Sequence, residues 1–96
     1  MAEQIGTGTV INKTLQAGES YTIDESSYAI YAIVNRSQVG YGALFCIGYS
    51  SVAILSDPKA VIDESKISIT KSGAGAVTVV TNNYDAVSNI RIRKFI

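Results

Sequence analysis

Gly42-Ala-Leu-Phe-Cys-Ile-Gly-Tyr-Ser-Ser-Val-Ala-Ile-Leu55 is the least polar stretch of the chain, and its polar break is Tyr49-Ser50-Ser51. A β-strand sends alternate side chains to opposite faces. Read as a strand, the first half carries Ala43, Phe45, Ile47 and Tyr49 on one face and Leu44, Cys46 and Gly48 on the other. Neither face suits water. The spacing predicts two strands, Ala43 to Tyr49 and Val52 to Leu55, turning at Ser50-Ser51.

Working outward, Tyr28-Ala-Ile-Tyr-Ala-Ile-Val34 has the same two-sided character. A helix is the rival reading there, because two alanines are present. The run is short, rich in Ile, Val and Tyr, and closed by Asn35-Arg-Ser-Gln38, which favours a strand. Towards the C-terminus the pattern becomes one-sided. Ser65 to Lys71 alternates with Ile67 and Ile69 inward, and Ser88 to Phe95 with Ile90 and Ile92 inward. Ser72-Gly-Ala-Gly75 is a hairpin loop leading into Ala76 to Thr81, and Asn82-Asn-Tyr-Asp85 is a polar loop. Ser56-Asp-Pro-Lys59 is a turn that can start a short helical turn towards Asp63. Near the N-terminus, Thr9 to Leu15 and Glu19 to Ile23 flank the turn Gln16-Ala-Gly18 and read as an antiparallel hairpin, preceded by a flexible lead-in over 1–8. About eight short strands, with no helix longer than a turn, predict an all-β, jelly-roll-like sandwich over 9–96.

A chain of 96 residues fits one domain, and area scaling leaves roughly 64% of its unfolded surface buried, enough for one core. Two faces on each central strand therefore exceed what one core covers. The surplus predicts an interface between copies, assigned to Tyr31, Ile33, Phe45, Ile47 and Tyr49. Basic and acidic residues balance at 8 each, so the chain has no general attraction for nucleic acid or an anionic membrane. Arg91-Ile-Arg93-Lys94 reads as the solvent face of a strand rather than a polyanion contact. No basic, apolar leader opens the chain, and no apolar run reaches the ~20 residues that span a bilayer.

Catalytic and metal signatures are missing from the sequence. Without histidine there is no Ser-His-Asp or Cys-His arrangement and no imidazole ligand. The single cysteine, Cys46, sits in the most apolar strand and is expected in the core. The acidic pairs Asp24-Glu25 and Asp63-Glu64 are a remote option for a glycosidase acid and base or for calcium. They belong to an echo, Ile23-Asp-Glu-Ser26 and Ile62-Asp-Glu-Ser65, best explained as polar corners that bond local amides. Asn12-Lys-Thr14 and Asn35-Arg-Ser37 match the glycosylation pattern and are read as coincidence. Six tyrosines outnumber two phenylalanines. Those near loops join a ring to polar groups, the mixture that grips a sugar. The ligand-binding expectation falls on Tyr41, Asn82, Asn83, Tyr84 and Asp85, against the plainer account of tyrosines bridging core and water. No cofactor is expected.

Four segments carry a family resemblance: Thr14-Leu-Gln-Ala-Gly-Glu-Ser-Tyr-Thr-Ile23, Gly42-Ala-Leu-Phe-Cys-Ile-Gly48, Ile67-Ser-Ile-Thr-Lys-Ser-Gly73 and Val87-Ser-Asn-Ile-Arg-Ile-Arg93. In style they resemble the small β-sandwich domains of bacteriophage tail fibres and spikes. The resemblance implies a non-enzymatic virion domain, assembled in the host cytoplasm. It would be a fibre tip or receptor-binding head, homotrimeric, recognising a cell-surface glycan or protein. The alternatives are a capsid decoration or assembly protein and, more remotely, a small enzyme using the acidic pairs.

Overall fold

A computed structural model describes residues 8–24 and 28–96. The expected lead-in falls outside the described residues except at Gly8, whose amide donates to the Lys94 carbonyl at 2.7 Å. Eight strands follow in order: β1 (Val10–Leu15), β2 (Ser20–Ile23), β3 (Ala29–Asn35), β4 (Tyr41–Ile47), β5 (Val52–Ser56), β6 (Ile67–Lys71), β7 (Thr78–Asn82) and β8 (Ser88–Lys94). They form two antiparallel sheets, β1-β8-β3-β4-β5 and β2-β7-β6. The all-β, two-sheet expectation is met. No helix among the described residues is long and apolar enough to cross a membrane.

The two-sheet sandwich is shown without its jelly-roll detail, since β3, β4 and β5 stay together as a meander in one sheet. Two details differ from the sequence reading. The first two strands are not a hairpin. β1 pairs with β8 while β2 pairs with β7, so the turn between them crosses from one sheet to the other. The predicted helical turn after Pro58 does not form. The Asp57 carboxylate instead accepts from the amides of Val61 (2.7 Å) and Ile62 (2.9 Å). That clamp holds Val61 in the core with no exposed surface.

The core lies between the sheets. Ile23, Val80 and Ile67 of the smaller sheet pack with Tyr31, Ile33, Phe45, Ile47, Ile90 and Ile92 of the larger. Tyr31 and Phe45 are direct cross-strand partners, and their rings stack with centroids 5.6 Å apart. Such a pair adds about 0.5–1.5 kcal/mol to its area burial. Burial alternates along all of β3 and along β4 from Gly42 onward. The series Ala29, Tyr31, Ile33, Asn35 and the series Ala43, Phe45, Ile47 turn inward, leaving Ile30, Ala32, Val34, Leu44 and Cys46 half-buried on the outer face.

Four residues of the predicted interface set are not on the surface. Tyr31, Ile33, Phe45 and Ile47 are completely buried by the chain's own second sheet and present nothing to a partner. Alternation identifies two faces without saying which is inside. Volume decides it, because the bulkier series fills the core and the lighter one, with Ala32 and Gly42, is left outside. Cys46 belongs to that lighter series, opposite Ile30 and Ala53, and so lies outside the core.

Candidate functional site

The loops β1–β2, β3–β4, β5–β6 and β7–β8 meet at one end of the sandwich. Asn82, the last residue of β7, ties the β1–β2 and β7–β8 loops together. Its side-chain amide donates to the carbonyls of Leu15 (2.9 Å), Gln16 (3.2 Å) and Ala86 (2.8 Å). Its Oδ1 accepts from the Tyr84 amide at 3.0 Å and the Ser88 hydroxyl at 3.1 Å. The same backbone position serves the β1–β2 turn, where Gly18 N donates to Asn82 O at 2.7 Å and Asn82 N to Glu19 O at 2.9 Å. Gly18 has φ +80°, a conformation that favours glycine.

The predicted ligand residues separate on this geometry. Asn82 is fully buried and committed to these bonds, so it is a structural hub and not a ligand contact. Asn83 is exposed, and its Nδ2 donates to Ser68 Oγ at 2.9 Å. Tyr84 is half-buried and packs against the core. Burial pushes its phenol pKa above the usual 10.0, and the negative charge of Asp63 adds to the effect. Asp85 is exposed. Tyr41 is also exposed, at the start of β4, with Lys59 Nζ 5.1 Å from its ring centroid. Asn83, Tyr84, Asp85 and Tyr41 thus share one end of the molecule.

Tyr49 of the predicted interface is at the opposite end, where it stacks on Tyr28 with centroids 6.4 Å apart. Both rings are exposed, and Tyr28 is in the left-handed region at φ 61°. Sequence reasoning gave Tyr28 to a strand face and missed this pair. Its only signal was the position of each tyrosine beside a polar corner.

The acidic residues behave as corners. Asp63 accepts from the Ser65 amide at 2.9 Å and hydroxyl at 2.6 Å. Those bonds, with a smaller contribution from Lys66, hold its carboxyl below the ordinary 3.8. Glu25 of the other pair lies outside the described residues. Among the described residues, no group of three or more His, Cys, Asp and Glu is gathered as a metal site. Asn35, in one glycosylation-like triplet, is fully buried, with Oδ1 accepting from the amides of Ser37 and Gln38.

The outer face of β3 and β4 is the other feature of functional size. Ile30, Ala32, Val34, Leu44 and Cys46 lie side by side across the pairing. Ala53 continues the surface onto β5, whose residues from Ala53 to Ser56 are all exposed. A shallow apolar hollow of about 260 Å³ between Ala32, Leu44 and Pro58 belongs to it. Among the described residues β5 pairs only with β4 and forms an edge of the sheet, and it carries no charge.

No protein-family model matches the chain, and neither does any curated protein or solved structure.

Proposed function

We propose that this chain is a non-enzymatic virion domain, a fibre tip or receptor-binding head that works as a homo-oligomer, with three copies favoured. The observation that carries the proposal is the apolar outer face of β3, β4 and β5. Contiguous apolar patches beyond a few hundred Å² mark interaction surfaces. An uncharged edge strand is a further invitation to a partner, since natural sheets usually blunt such edges with charge. A second copy is the natural occupant, because a net charge of zero leaves no long-range repulsion between copies.

In this proposal the loop end carries recognition. Tyr41, Asn83, Tyr84 and Asp85 offer two rings with an amide and a carboxylate, the chemistry that meets a glycan. Light scattering over a range of concentrations tests the assembly, with a mass of several chains expected. A monodisperse monomer at high concentration would overturn it. Binding to arrayed glycans that disappears in Tyr84→Ala supports the receptor-binding head. Co-purification with capsid or tail subunits, without any glycan signal, would instead assign the same apolar face to a decoration or assembly protein.

A further inference from the structure

The outer face of the five-stranded sheet also holds a polar cleft of about 290 Å³ where β1, β8 and the β3–β4 loop meet, lined by Asn12, Lys13, Thr14, Arg36, Asn89 and Ile90. Thr14 and Asn89 are direct cross-strand partners, as are Asn12 and Arg91. The loop is tied to β8 from both sides. The Arg36 amide donates to the Asn89 carbonyl at 2.8 Å, and the Asn89 amide donates to Ser37 Oγ at 2.8 Å.

The direction of the side-chain bonds gives the cleft its character. Thr14 Oγ1 donates to Asn89 Oδ1 at 2.8 Å, and Arg91 Nε donates to Asn12 Oδ1 at 3.0 Å. A carboxamide has an accepting oxygen and a donating nitrogen. Both oxygens are engaged, so each amide keeps its NH₂ for a visitor. Arg36 adds a guanidinium with donors only. Among the described residues no acidic side chain lines the cleft and no carboxylate pairs with Arg36. What remains is a positively charged set of donors with one hydroxyl.

We propose that this cleft binds an acidic sugar unit. Its carboxylate or sulfate meets Arg36, and its ring hydroxyls meet the amides of Asn12 and Asn89. A guanidinium suits an oxyanion because it can donate two parallel bonds. Pockets for drug-sized ligands start near roughly 300 Å³, so this one fits something the size of a single ring. Its polar lining disfavours an apolar ligand. The nearby cations, Arg36, Arg91 and Lys13, are too few to follow a nucleic-acid backbone. Identifying the ligand as a glycan rests on the receptor-binding proposal, while the preference for an anion rests on the donor geometry.

The test is an amide NMR titration of the full chain with glucuronate, glucose 6-sulfate, glucose and acetate. Glucuronate or glucose 6-sulfate, or both, should shift Arg36, Ser37 and Asn89 saturably, and comparison of the two identifies the acid group. Glucose should leave these signals in place. Arg36→Gln should weaken binding at least tenfold with the rest of the spectrum unchanged, and Arg36→Lys should restore part of it. Absence of saturable shifts, equal binding of glucose, or acetate binding as tightly as the acidic sugars would overturn the proposal. A chain that associates in light scattering yet ignores both acidic sugars would overturn the cleft alone, leaving the assembly reading standing.

Discussion

The side-chain amide of Asn82 donates to the main-chain carbonyl of Leu15 at 2.9 Å, joining the end of β7 in one sheet to the end of β1 in the other. The bond explains why β1 and β2 separate into different sheets. A two-strand hairpin would need the turn to double back within one sheet. Asn82 instead holds the carbonyls of Leu15 and Gln16 at the crossing point. Asn82→Ala would strand those carbonyls, while the Ser88 hydroxyl keeps its bond to Gln38 Oε1 at 2.7 Å. A loss of about 3 kcal/mol is expected, since each unsatisfied buried group costs about 1–3 kcal/mol. Urea denaturation measures it. A loss well under 1 kcal/mol would mean that the corner closes without this residue.

Adjacent residues of β4 should report on different things. Phe45 is fully buried against Tyr31, so Phe45→Ala should cost about 3–5 kcal/mol of stability. Leu44 faces outward. Leu44→Glu should change stability by about 1 kcal/mol, the span of strand substitutions in a host sheet, and should reduce the solution mass to that of one chain. Denaturation and light scattering on both variants separate the two effects. If Leu44→Glu leaves an oligomer intact, the outer face is not where copies meet.

The contrast between those neighbours shows what could be read from the sequence. Period-2 alternation located all eight strands to within about two residues, because strand pairing and half-burial both impose that period. The same alternation is blind to the choice of inner face, so an interface reading of Tyr31 and Phe45 turns them the wrong way. Topology was hidden for a related reason. Gln16-Ala-Gly18 has the composition of a hairpin turn, and the residue that redirects it, Asn82, is more than sixty positions away. Asn82 read as a loop amide for the same reason, since nothing local marks a polar side chain as buried. The cleft at Arg36 was equally illegible, because β1 and β8 come from opposite ends of the chain.

The Tyr84 phenol gives the fold an alkaline limit. Burial and the charge of Asp63 raise its pKa above 10.0. The folded state therefore holds this proton more tightly than the unfolded chain. The resulting stability is fully present below pH 10 and is lost as pH rises through the folded value. Tyrosine-resolved NMR should show Tyr84 ionising above pH 10. Asp63→Asn should lower its midpoint by removing the nearby charge. An unchanged midpoint in that variant would mean that burial acts alone.

Asp63 sets the complementary acid limit at the β5–β6 corner. Its bonds to Ser65 hold the folded pKa below 3.8, so their contribution is present above that value and lost as pH falls through the folded pKa. Ser65→Ala removes the hydroxyl bond and should raise the Asp63 pKa towards 3.8. Carboxyl-carbon NMR between pH 2 and 6 reads that shift directly. An Asp63 midpoint that stays where it was would assign the depression to the backbone amide and Lys66.

Cys46 offers a chemical probe of assembly that needs no mutation. Its side chain is half-buried on the outer face, between Ile30 of β3 and Ala53 of β5. If copies meet there, the thiol is partly accessible in the single chain and covered in the oligomer. Its alkylation by a small reagent should then slow as protein concentration rises, in step with the mass from light scattering. A bulky adduct on Cys46 should in turn prevent association, because close-packed interfaces do not absorb added volume. The fold should survive the same adduct, since the sulfur points away from Phe45 and the core. Alkylation that proceeds at one rate at every concentration, while the mass increases, would place the contact between copies on a different face.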